Sequence, residues 1–115
     1  LTSNSLQKLA LQKQESLATL ALQCQSLQEV DLADCASLTD SVCKVFSDGG
    51  GCPMLKSLIL DNCERLMTAR FCSTSLVSLS LAGCKYVEIL ELTCPYLQQV
   101  CLDGCGRLER ASFCP

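Results

Sequence analysis

The chain contains no histidine and no tryptophan, and its aromatic side chains are limited to two tyrosines and three phenylalanines. Nucleic-acid binding requires a basic surface and aromatic side chains on which bases stack, whereas this chain has a net charge of −3. The missing histidine also removes the commonest general base and a common zinc ligand. We therefore expect no nucleic-acid partner and no histidine-dependent catalysis.

Long apolar runs are also missing, since none approaches the roughly 18 residues of a membrane-spanning helix. The first residues, Leu1-Thr2-Ser3-Asn4, lack the charged and apolar regions of a signal peptide. These features predict an intracellular protein that has no membrane partner.

Cysteine, in contrast, is abundant, with 11 residues in a chain of 115. No two of them form a C-x-x-C pair, and the number is odd. Structural zinc sites need closely paired cysteines or Cys/His clusters, and disulfide frameworks need an even number. We expect no metal, no cofactor and no functional disulfide.

The cysteines belong to a repeat whose apolar residues follow the pattern L-x-x-[LV]-x-L. The five triads are Leu6/Leu9/Leu11, Leu27/Val30/Leu32, Leu55/Leu58/Leu60, Leu76/Leu79/Leu81 and Leu97/Val100/Leu102. Their starts are separated by 21, 28, 21 and 21 residues. A cysteine stands three residues after four of the triads, and Gln14 takes that position in the first. This is the leucine-rich-repeat signature, and it predicts a single array over residues 1–115.

The end of each triad alternates, so two leucines point inward and the residue between them points outward. Stacked repeats would pair these segments as parallel strands about 4.8 Å apart and would bury the leucines in one continuous core. The cysteine would lie inside the stack as a small buried residue with a weak S–H donor. The fold class we predict is an α/β solenoid of leucine-rich repeats with a parallel sheet.

The return side of the short repeats carries a second set of triads, such as Val87/Leu90/Leu92 and Leu108/Ala111/Phe113. A 21-residue repeat is too short for a well-formed helix, so we expect an extended segment or a short strand there. The 28-residue repeat has apolar residues at helical spacing from Leu38 to Phe46, with Thr39 or Asp40 as N-cap and Gly49-Gly50-Gly51 as terminator. This repeat should carry a helix. The three phenylalanines are expected in the core: Phe46, Phe71 and Phe113.

Cys-Pro pairs precede the strands, at Cys52-Pro53, Cys94-Pro95 and Cys114-Pro115. Proline suits this position because it fixes an extended backbone just before the strand begins, where its missing N–H removes no hydrogen bond from the sheet. The last pair would then open a further repeat, and neither terminus has the polar character of a capping repeat. We expect the array to be a piece of a longer protein.

The repeats Cys52–Cys63 and Cys94–Cys105 resemble the cysteine-containing class of leucine-rich repeats, which is typical of F-box/leucine-rich-repeat proteins. The segment Leu38-Thr39-Asp40 matches the Leu-Thr-Asp that follows the cysteine in that class. The repeat from Ser78 to Leu92 looks most similar to the plant F-box/LRR-repeat protein 15 type.

The resemblance implies the substrate-recognition subunit of an SCF-type ubiquitin ligase, located in the nucleus or cytoplasm. A protein substrate would bind the strand face, and a Skp1-like adaptor would bind an F-box that is absent from this chain. The 21-residue spacing and Gln14 depart from the family pattern.

Partner binding is expected on residues that point outward from the strands or directly follow them. Acidic residues among them would favour a basic partner, and Ile59 and Cys101 are apolar at outward positions. Alternatively, these charges only keep the sheet soluble. The candidate binding residues are Glu29, Asp31, Ile59, Asp61, Ser80, Gln99, Cys101 and Asp103.

Two other functions agree less well with the sequence. Repeats of an intracellular plant immune receptor would be longer and more irregular, and the Cys-Pro starts are against them. An enzyme with a nucleophilic cysteine would need a base and an oriented partner, and no such constellation is present. Gly49-Gly50-Gly51 is not followed by Lys and Ser/Thr, so it does not resemble a phosphate-binding loop.

Overall fold

A computed structural model of the protein describes residues 1–114, which form a parallel-strand solenoid of about five turns. It is a short-repeat, leucine-rich-repeat-like solenoid with a spacing of about 21 residues and very little helix, which confirms the predicted fold class. The elements in chain order are β1 Thr2–Ser3, β2 Lys8–Ala10, β3 Gln23–Cys24, β4 Glu29–Asp31, α1 Val42–Val45, β5 Ser57–Ile59, β6 Thr68–Cys72, β7 Ser78–Ser80, β8 Ile89–Thr93, β9 Gln99–Cys101 and β10 Arg110–Cys114.

The first side of the solenoid is a five-stranded parallel sheet with the order β2-β4-β5-β7-β9. Equivalent residues of successive repeats lie opposite one another, as Val30, Leu58 and Leu79 do. These three side chains point inward and are buried, while their neighbours along each strand point outward. We call the outer surface of this sheet the strand face.

The return side is also extended, as the second set of triads predicts. β10, β8 and β6 form a three-stranded parallel sheet, and β1 pairs with β3 in a separate two-stranded sheet. The 28-residue repeat interrupts this side with α1, which is a single helical turn. The prediction that this repeat carries a helix is therefore confirmed.

The core lies between the two sides and consists mainly of the stacked leucines, seven buried cysteines and two phenylalanines. Phe46 and Phe71 are each 1% exposed. The prediction for Phe113 was wrong, since its side chain is 57% exposed. Phe113 lies on β10, which pairs only with β8 and stands at the edge of its sheet, so no strand covers its other side.

The cysteines after the triads form a ladder along the inside of the stack. Each thiol donates a hydrogen bond to the carbonyl of the last triad leucine in the preceding repeat, with Sγ···O distances of 3.0 to 3.5 Å. The four bonds are Cys35 to Leu11, Cys63 to Leu32, Cys84 to Leu60 and Cys105 to Leu81. Cysteine is used here because it is small, apolar and still a donor.

This ladder predicts alkaline destabilisation. Burial disfavours the thiolate and raises the pKa of Cys63 to about 12 and that of Cys84 to about 11. The unfolded chain loses these protons from about pH 9, so the folded state binds more protons between pH 9 and pH 11. The free energy of unfolding should therefore fall over that window, by up to about 1.4 kcal/mol per pH unit for each thiol.

Urea unfolding under reducing conditions at pH 8, 9, 10 and 10.5 measures this effect. Cys63→Ala should show a shallower fall than the unsubstituted protein, because one buried thiol no longer titrates. If the free energy of unfolding fell equally steeply with pH in the two proteins, this would contradict the assignment of part of the alkaline destabilisation to the Cys63 thiol.

The N-cap of α1 differs from the prediction. Ser41 occupies that position, without a side-chain capping bond. The Asp40 carboxylate instead accepts hydrogen bonds from the backbone N–H groups of Met67, at 2.9 Å, and Thr68, at 3.2 Å. Asp40 therefore satisfies donors at the edge of β6, and the Thr39 hydroxyl donates to the Ala18 carbonyl at 3.3 Å, so neither side chain caps the helix.

The Cys-Pro pattern also needs one correction. The register places Cys114 opposite Thr93, which precedes Cys94 by one residue. Cys114 is thus offset by one residue from Cys94 and does not repeat its position. Pro115 itself lies outside the described residues.

Candidate partner-binding face

The strand face brings all eight candidate residues onto one surface. Asp31, Ile59, Ser80 and Cys101 lie opposite one another on adjacent strands, in line with Ala10 on β2. Glu29 and Gln99 belong to a second line two residues earlier. Asp61 and Asp103 follow where β5 and β9 end. The parallel register explains this grouping, because it places equivalent repeat positions side by side.

Asp31 and Asp61 hold neighbouring repeats together. The Asp31 carboxylate accepts hydrogen bonds from the Gln12 side chain at 2.9 Å and from the Ala33 backbone N–H at 3.0 Å. The Asp61 carboxylate accepts one from the Ser80 hydroxyl at 2.6 Å and one from the Ala82 N–H at 3.0 Å. Two of the acidic residues expected to favour a basic partner are therefore engaged in hydrogen bonds within the protein.

Glu29 is partly neutralised by a neighbour. Its carboxylate lies 3.3 Å from the Lys8 ammonium group across the β2–β4 pair, and both side chains are largely exposed. An exposed pair of this kind is worth less than about 1 kcal/mol. Gln99 and Asp103 are exposed at the other end of the sheet.

The apolar part of the face centres on Ile59. Its side chain is half-buried and stands between Asp31 and Ser80 on the adjacent strands. It also lines a recess of about 220 Å³ that extends over Ser57, Glu29 and Lys8. Cys101 is half-buried as well. The face thus offers an apolar centre with hydroxyl and carboxylate groups around it.

Sequence reasoning did not identify the row of residues that precedes the cysteines. Asp34, Asn62 and Gly83 adopt positive φ angles of 63°, 57° and 75°. The Asn62 amide donates to the Asp34 carboxylate at 2.9 Å, which links two repeats at the rim of the face. The run Asp, Asn, Gly, Gly at this repeat position is the signal that could have identified it, because these residues tolerate the left-handed region best.

Within the described part of the chain, no three His, Cys, Asp or Glu side chains are grouped so that they could hold a metal ion. No helix in residues 1–114 has the length and apolar character needed to cross a membrane. What the face presents is side chains suited to contact another polypeptide.

Comparisons with known proteins add no family assignment. No family model matches the chain, and no solved structure is a significant match.

Proposed function

We propose that this chain is a protein-interaction module that serves as the substrate-recognition repeats of an F-box protein in an SCF-type ubiquitin ligase. The observation that carries the proposal is the continuous strand face, which displays outward side chains from five parallel strands. Solenoids of this class are typical binding modules. The link to ubiquitin is supported by the resemblance of the Cys52–Cys63 and Cys94–Cys105 repeats to the F-box family.

The substrate would contact the centre of the strand face. Ile59 provides an apolar contact area, while Ser57 and Ser78 beside it are small enough to let a partner backbone approach. Hydrogen bonds already made by Asp31 and Asp61 fix the positions of their carboxylates, so a partner meets a pre-ordered surface and loses less entropy on binding. The repeats themselves would perform no chemistry in this function.

Affinity purification of the full-length protein followed by mass spectrometry tests the proposal. We expect a Skp1-like adaptor and a cullin, together with candidate substrates. Ile59→Arg should remove the substrates and leave the adaptor, because it places a charge in the centre of the face. The matched control is Thr93→Arg, an exposed position on the return sheet, which should leave both groups of proteins bound.

Absence of adaptor and cullin would overturn the ubiquitin-ligase function. If other proteins were still lost with Ile59→Arg alone, the chain would be the repeat scaffold of another intracellular protein, such as an immune receptor. Proteins lost equally with Ile59→Arg and Thr93→Arg would contradict the strand face as the binding surface.

A further inference from the structure

The strand face carries most of the net negative charge of the chain. Four acids and one base point outward from its strands or stand two residues after them: Glu29, Asp31, Asp61, Asp103 and Lys8. At the rims of the face, Lys13 and Asp34 follow β2 and β4, and Lys56 precedes β5. The face with its rims therefore holds five acids and three bases, which is −2 of the total charge of −3.

The hydrogen bonds that hold these carboxylates do not neutralise them. Asp31 accepts from the Gln12 amide and a backbone N–H, and Asp61 accepts from the Ser80 hydroxyl and a backbone N–H. All four donors are uncharged, so each carboxylate keeps its negative charge while its position is fixed. Both bonds to Asp61 end on Oδ1, and Oδ2 receives no hydrogen bond from residues 1–114. The face thus presents ordered anionic groups to a partner.

The recess of about 220 Å³ on this face combines an apolar wall with an acid. Ile59 and Ala10 supply apolar surface, and Glu29, Lys8 and Asp31 supply the charges. Glu29 is paired with Lys8, whereas Asp31 forms no ion pair among residues 1–114. A neutral apolar side chain in the recess would remove water from Asp31 without replacing it by a partner group.

Lysine and arginine fit this combination because each has an alkyl stem and a charged end. The stem would pack on Ile59 and Ala10, and the ammonium or guanidinium group would meet the Asp31 carboxylate. The pair would be partly shielded from water, where an ion pair is stronger than on an open surface. The recess is therefore matched to one basic side chain.

Asp61 offers a second contact at a distance that an extended chain can span. It follows β5, the strand next to the one that carries Asp31. One strand spacing and two residues along the strand separate the two acids, which is about 8 Å between their Cα atoms. An extended segment advances about 7 Å in two residues and about 10 Å in three. Asp103 lies two strands beyond Asp61 at the same repeat position, about 10 Å away.

We propose that the strand face binds an extended basic segment of its protein partner, with one lysine or arginine in the Ile59 recess at Asp31 and a second base, two or three residues away, at Asp61. Charge complementarity between this segment and the face would also speed the encounter of the two proteins. The proposal rests on the proposed function of the strand face as the substrate-binding surface, and adaptor recruitment has no part in it.

Selection of displayed random heptapeptides on the full-length protein, with counter-selection on Ile59→Arg, tests the proposal. We expect the enriched peptides to contain at least two Lys or Arg residues, two or three positions apart. In fluorescence anisotropy, a synthetic copy of an enriched peptide should bind the double variant Asp61→Asn/Asp103→Ser about tenfold more weakly than the unsubstituted protein. Asn at position 61 removes the charge and still offers the Oδ1 acceptor that Ser80 and the backbone use.

The matched control is Glu15→Gln/Glu109→Gln, which removes the same number of charges from exposed acids off the strand face. It should change the affinity less than about twofold, because screening by salt limits the reach of exposed charges. Circular dichroism of each variant separates a lost contact from a lost fold.

Enrichment of acidic or neutral peptides, or no enrichment, would overturn the proposal. Equal weakening by the two double variants would also overturn it, since the peptide would then respond to the net charge of the chain and not to the strand face. These outcomes are distinct from failure of the ubiquitin-ligase function, which is read from the absence of adaptor and cullin in the purification and leaves the peptide affinities unchanged.

Discussion

Gly51→Ala is expected to reduce the free energy of unfolding by about 3 kcal/mol or more, the largest effect expected for a Gly→Ala substitution at any of the six glycines. A Cβ atom at Gly51 would lie 1.4 Å from the carbonyl oxygen of Leu22, which is backbone and cannot rotate away. Relief of this clash would separate the two segments and break the hydrogen bond from the Cys24 N–H to the Gly51 carbonyl, now 2.8 Å. Overpacking in a buried position commonly costs about 1 to 3 kcal/mol, and more where backbone must move.

Two other glycines provide matched controls. A Cβ at Gly106 meets open space, so Gly106→Ala should be neutral or slightly stabilising. Gly49 also faces open space but has a φ of +86°, so Gly49→Ala should cost about 1 to 2 kcal/mol from backbone strain alone. Urea unfolding followed by circular dichroism measures all three. Equal stability of Gly51→Ala and Gly106→Ala would contradict the close approach of the insertion to the preceding repeat.

Leu58→Ala is expected to cost about 3 kcal/mol. Leu58 is fully buried and lies between Val30 and Leu79 on the adjacent strands, so its removal leaves a cavity that both neighbours line. The matched control is Ile59→Ala, one residue along the same strand and half-exposed on the strand face, which should cost about 1 kcal/mol or less.

The same unfolding assay compares the two variants. A cost for Ile59→Ala as large as that for Leu58→Ala would mean that Ile59 is a core residue, which would remove the apolar centre from the proposed binding surface.

The sequence predicts the solenoid because its repeats encode one local pattern five times. The alternation at Leu58-Ile59-Leu60 and the following Cys63 determine strand direction, the buried side and the turn within one repeat. The length difference of seven residues indicates that one return segment differs from the others, and the apolar spacing from Leu38 to Phe46 predicts its helix.

What the sequence could not predict depends on contacts between repeats. Aspartate commonly caps helix N-termini, which is why the sequence suggests Asp40 as the N-cap. Its carboxylate instead accepts a hydrogen bond from the backbone N–H of Met67 at the edge of β6, 27 residues later in the chain. Asp31 and Asp61 look like free surface acids, yet each bonds to a neighbouring repeat.

Photocrosslinking tests the central claim, that the strand face binds a protein partner, most directly. Benzoylphenylalanine would be placed at Ile59 on the strand face, at Met67 directly before β6 or at Thr93 on the return sheet of the full-length protein. After irradiation in cells, we expect the substrate protein that is recovered together with the Skp1-like adaptor to be linked covalently at Ile59 and not at Thr93. Crosslinking of the same substrate at Thr93 or Met67, with none at Ile59, would contradict the account.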